Sequence, residues 1–174
     1  MLEILESSRP LLLVLLGSFT SILGGIFQFR ISEKSRRNTL LSSKLERAYG
    51  LCQLIVDRHK QEIGNTRTFL PHDTDKYLEK RCCPTTEMNE LKMLVRTHIP
   101  DLKNLLETID SGHNHLKISF DKIDKAIANG TIDYKMPHKL TQIDIDNWDD
   151  YLAKVNEGSS KLKNALEEKM SSLV

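Results

Sequence analysis

The feature that most constrains this chain is a run of nineteen consecutive residues without a charge, Leu11 to Phe29, bracketed by Arg9 and Arg30. At ~1.5 Å per residue a helix of that length spans ~28 Å, close to the ~30 Å hydrocarbon core of a bilayer. We read residues 10–29 as a transmembrane helix. A secretory signal peptide is the main rival. Against it, Glu3 and Glu6 accompany Arg9 in the first nine residues, and Ile26-Phe27-Gln28-Phe29-Arg30 offers no small-residue cleavage site.

Orientation follows from the flanking cations. Arg9 alone precedes the run, whereas Arg30, Lys34, Arg36, Arg37, Lys44 and Arg47 follow it. The positive-inside bias then makes residues 1–9 a short extracytoplasmic tail and places the C-terminal body in the cytoplasm. The basic juxtamembrane cluster Arg30, Lys34, Arg36 and Arg37 serves topology first and also suits anionic headgroups. A cytoplasmic body predicts reduced thiols. Adjacent Cys82 and Cys83, with Cys52 left over, fit that expectation better than a disulfide framework. Asn129-Gly130-Thr131 matches a glycosylation sequon, but on this orientation Asn129-Gly130 reads as a helix stop.

One side of the span is small and polar. Gly17, Ser21, Gly24, Gly25 and Gln28 share a stripe at helical spacing, which predicts close helix–helix contact within the membrane. Phe19, Ile22, Ile26 and Phe27 lie mostly off that stripe and are expected to face lipid.

Beyond the span the periodicity is helical throughout, and no window alternates in the manner of a strand. Residues 30–63 read as the basic juxtamembrane segment and a first soluble helix, with the stripe Leu45, Tyr49, Cys52, Val56, His59 and Ile63. Residues 64–84, rich in turn formers, read as a loop holding a short helix that Asp73 or Thr74 caps. Residues 85–129 carry the strongest signal. Leu102, Leu106, Ile109, His113, Leu116, Phe120, Ile123 and Ile127 alternate steps of four and three, the seam of a long helix, interrupted at Pro100, where either a new helix begins or the long one kinks. Residues 130–145 form a second loop. Residues 146–173 form a last helix with the seam Trp148, Leu152, Val155, Leu162 and Leu166, softened at Gly158-Ser159-Ser160. The expected fold class is all-α. It joins one transmembrane helix to an antiparallel bundle or coiled coil of three long helices plus a short one.

The chemistry is sparse. No glycine-rich phosphate loop is present outside the apolar run, and a strandless chain holds no dinucleotide fold. His113 and His115 point to opposite sides of a helix, so they do not chelate one ion together; His113 in the seam reads as a core histidine hydrogen-bonded across the bundle. As a buried imidazole it also suggests proton sensitivity, with His113→Leu raising stability. Cys82-Cys83 lacks the spacing of a metal site. Trp148 reads as a core anchor. No catalytic residue, cofactor or metal site is expected, and no nucleic acid, because the basic cluster lies against the bilayer. The expected function is a membrane-anchored helical interaction protein. Its partners are the lipid bilayer, further copies of itself and a protein held at the cytoplasmic face. The alternative is an oligomeric membrane effector or pore lined by the small-polar stripe, and a less favoured one is an enzyme.

Overall fold

A computed structural model describes residues 2–130 and 142–173, with side chains described over 18–130 and 147–173. Every regular element among them is helical: α1 (Leu2–Phe69), α2 (Thr74–Glu79), α3 (Thr85–His98), a 3₁₀ turn (Pro100–Leu102), α4 (Lys103–Ala128) and α5 (Gln142–Ser171). The chain divides into two units, Met1–Ser42 and Ser43–Val174, and α1 contributes to both. In the first unit the described residues are all helical, and most of the side chains described in it, those of residues 18–42, are exposed.

The second unit is an all-α bundle. Along α1, Leu45, Ala48, Leu51, Cys52, Ile55, Val56, His59, Glu62 and Ile63 are buried, steps of three and four that keep one broad face inward. Residues 64–69 continue this helix instead of opening a loop. Gly64 costs about 1 kcal/mol in a helix, but burial of Ile63, Thr66 and Leu70 offsets it. Thr66 Oγ1 also donates to the Glu62 carbonyl at 2.7 Å. Asp73 then caps α2, its carboxylate accepting from the Lys76 amide at 2.9 Å.

The expected long helix over 85–129 is two helices. Ile99 precedes a proline and takes φ −143°, ψ 55°, outside the α region that proline disfavours for its predecessor. Its side chain is buried at the turn, and Pro100 opens the 3₁₀ segment that leads into α4. The chain reverses: Lys92 of α3 pairs with Asp110 of α4 at 2.5 Å. Among the described residues the bundle therefore has four main helices, α1 from residue 43, α3, α4 and α5, where three were expected. α4 ends at Ala128, with Gly130 at φ 64° donating its amide to the Ile127 carbonyl at 2.9 Å. That is the left-handed glycine stop foreseen at Asn129-Gly130. Residues 131–141, most of the second expected loop, lie outside the described residues. The last helix starts at Gln142 rather than 146.

Cross-helix contacts give the directions. Arg67 pairs with Asp149, and Gln53 accepts from Lys163, so α1 and α5 are antiparallel. Phe120 meets Trp148 and His115 meets Tyr151, so α4 and α5 are antiparallel too. Hence α1 and α4 run the same way. The α4–α5 approach depends on two glycines. A Cβ at Gly112 would lie 2.7 Å from Val155 Cγ2, and one at Gly158 would lie 2.8 Å from Ile109 Cγ1. The soft spot read at Gly158 is a contact point.

Of the expected seams, Leu106, Ile109, His113, Leu116, Phe120, Ile123, Trp148, Val155, Leu162 and Leu166 are buried. Leu102, Ile127 and Leu152 are half-buried at the periphery.

Candidate functional site

In the first unit, large apolar side chains face outward. Phe19, Ile22, Leu23, Ile26, Phe27, Phe29 and Ile31 are exposed, from 49% at Ile26 to 69% at Phe27 and Phe29. Burying such side chains is worth roughly 1.5–3 kcal/mol each, so leaving this set exposed to water is costly. Arg30, Lys34, Arg36 and Arg37 follow directly and are exposed, with Arg37 paired to Glu33 one turn back.

At about 100° per residue, Phe19, Leu23, Ile26 and Phe27 share one side of α1. Ser21, Gly24, Gly25 and Gln28 occupy the opposite side and are exposed. A Cβ at Gly24 or Gly25 would meet no described atom within 4 Å. The side chain position of Gly17, the first member of the stripe, lies outside the described residues, as do those of residues 11–16. Among the described residues no helix is long and apolar enough to cross a membrane. The leucine-rich start of the uncharged run, residues 11–16, is not among the residues whose side chains are described.

The bundle holds two buried polar centres. In the first, His59 Nε2 of α1 lies 3.1 Å from His113 Nδ1 of α4. The pair joins two helices that run in the same direction. His59 Nδ1 has no hydrogen-bond partner among the described residues. Placing the proton on His59 Nε2 leaves Nδ1 a bare lone pair instead of a stranded N–H donor, so we assign His59 as donor and His113 as acceptor. Burial pushes the His59 imidazole down to about 3, assisted by His113. Burial also lowers His113, to about 4, with Asp110 opposing and Lys92 and Lys117 assisting. His115, two residues on, is exposed and stacked on Tyr151 at 4.6 Å.

The second centre clamps the chain between α2 and α3. Arg81 bridges two carboxylates, buried Glu62 of α1 and Asp124 of α4, the latter at 2.7 Å. The Cys82 amide donates to Glu62 at 2.6 Å, and Tyr77 Oη donates to Asp124 at 3.2 Å. Sequence periodicity missed Glu62 and Arg81 because no spacing rule links residues on α1 and in a connection. The one available signal was a glutamate on the inward, largely apolar face of α1. Cys82 rests against the Arg58 carbonyl at 3.5 Å. Burial raises its thiol to about 12, with Glu62 assisting, and burial raises Cys52 to about 12 as well. These cysteines are therefore poor nucleophiles at neutral pH. All three cysteines are free thiols. Among the described residues no group of three His, Cys, Asp or Glu side chains is disposed to hold a metal ion.

The polar centres join elements to one another; the apolar helix with its cationic end is the outward-facing feature. Set against known proteins, the chain matches no family model, no curated protein and no solved structure.

Proposed function

We propose that this chain is a single-pass membrane-anchored interaction protein. Residues 10–29 cross the bilayer as a helix, residues 1–9 lie outside, and the helical bundle stands in the cytoplasm, where it self-associates and holds a protein partner. The exposed row of Phe19, Ile22, Leu23, Ile26, Phe27 and Phe29, ending on exposed Arg30, Lys34, Arg36 and Arg37, carries this reading. Lipid tails remove the apolar row from water, and the cations stop the helix at the headgroups. The open Ser21, Gly24, Gly25 and Gln28 side suits a second copy of the same helix, since small residues let two backbones approach. The role is binding and placement rather than catalysis.

The test is alkaline carbonate extraction of the full chain from cell membranes, with protease digestion of sealed vesicles. An integral, cytoplasm-facing protein resists extraction and loses its bundle to protease added on the cytoplasmic side. Release into the supernatant overturns the anchor, and protection of the bundle overturns the orientation. Cross-linking in the membrane should give a dimer or small oligomer that Gly24→Leu weakens. Ion flux from reconstituted protein would favour the pore instead.

A further inference from the structure

We propose that Arg30, Lys34 and Arg37 form a collar that selects anionic lipid headgroups around the anchor. This inference rests on the membrane-anchor reading and adds the class of lipid that the helix takes. Projected at about 100° per residue, the three cations fall within roughly 60° of one another. They continue the side of α1 that carries Phe19, Leu23, Ile26 and Phe27, all of them exposed. Arg36 points to the other side. With the apolar side in contact with acyl chains, Arg30, Lys34 and Arg37 point at the lipids whose tails those residues touch. The side bearing Ser21, Gly24, Gly25 and Gln28 is opposite, so helix pairing there leaves the collar uncovered.

The dimensions agree. Arg30 to Arg37 covers about 10 Å along the helix. The headgroup layer on one side of a bilayer is about 5–8 Å thick, and long basic side chains reach back along the helix to it. Glu33 pairs with Arg37. The pair is exposed, and such pairs contribute little, so Arg37 is available to a phosphate. The charge sum over the collar remains positive. A zwitterionic headgroup offers this row no net attraction, whereas an anionic one gains about fivefold in occupancy for each cation that it reaches.

The experiment reconstitutes the full chain in vesicles of phosphatidylcholine with one quarter phosphatidylserine. The protein is recovered in mild detergent, and the retained lipids are counted by native mass spectrometry. The ratio of phosphatidylserine to phosphatidylcholine among the retained lipids should rise about fivefold over the bulk, from 1:3 to about 5:3. The enrichment should fall as salt rises and disappear in Arg30→Gln/Lys34→Gln/Arg37→Gln. The charge-keeping variant Arg30→Lys/Lys34→Arg/Arg37→Lys should retain it. Enrichment that survives the neutral variant, or that never appears in inserted protein, overturns the collar and leaves the anchor standing. Protein that carbonate strips from both neutral and anionic vesicles overturns the anchor itself.

Discussion

His59 and His113 are buried partners, 3.1 Å apart between two parallel helices of the bundle, and each is the other's hydrogen-bonding neighbour in an apolar interior. Above pH 6.5 neither the folded nor the unfolded chain binds protons here, so the pair leaves stability unchanged. Below 6.5 the unfolded chain takes up protons that the folded pair refuses until about 4 at His113 and about 3 at His59. Stability then falls with pH by up to about 2.7 kcal/mol per unit for two groups. Urea titrations between pH 7 and 5 should show this loss, with Trp148, buried against Phe120, as the fluorescent reporter. His59→Leu/His113→Leu should remove most of it, and an unchanged slope would reject the pair as its source.

His113→Leu alone should behave differently from the sequence-level expectation. It removes the acceptor of the His59 Nε2–H while Nδ1 already lacks a partner. A stranded donor costs about 1–3 kcal/mol. The single variant should therefore be less stable than wild type at pH 7, despite its apolar side chain, and should keep the acid sensitivity of His59. A stabilised single variant would overturn the donor assignment.

Gly112→Ala and Gly158→Ala should each destabilise the bundle by about 1–3 kcal/mol, because the added methyl drives into Val155 or Ile109. The control is Gly50→Ala, in the same bundle on α1. There a Cβ meets nothing within 4 Å, and the change should stabilise by about 0.5–1 kcal/mol. Denaturation midpoints that moved the same way for all three would contradict this packing.

Arg81→Met should cost about 3–5 kcal/mol, since it strands the buried Glu62 carboxylate. The variant Glu62→Gln/Arg81→Met should recover part of the loss by removing both charges. If the two variants unfold at the same denaturant concentration, the clamp is not an ionic one.

Cys82 should react slowly with alkylating reagents at pH 8. With its thiol raised to about 12, roughly one molecule in ten thousand is thiolate, against about a quarter for an ordinary cysteine. Mass spectrometry of timed labelling measures this directly, and Cys82→Ser provides the blank.

Much of the bundle was legible in the chain because burial follows periodicity. The steps of four and three through Leu106, Ile109, Leu116, Phe120 and Ile123 mark buried positions, as does the row Val155, Leu162 and Leu166. Gly130 announced the end of α4 through its need for positive φ. Pro100 announced a break but not its size, since proline permits a kink or a reversal and only the partner of Asp110 decides between them. Residues 64–69 read as a loop because Gly64, Asn65 and Thr66 are weak helix formers. Tertiary burial of Thr66 and Leu70 overrides that propensity.

The sequence by itself determined the helical class, the apolar run from Leu11 to Phe29, its cationic end and the inward faces of the helices. Those properties are local: they depend on which residues recur along one helix. Only the tertiary structure decided that four helices rather than three enclose the core, that His59 meets His113, and that Glu62 meets Arg81. It also made Gly112 and Gly158 contact points. Each of these joins residues far apart in the chain, and no local pattern encodes which distant partner a buried polar group or a glycine will face.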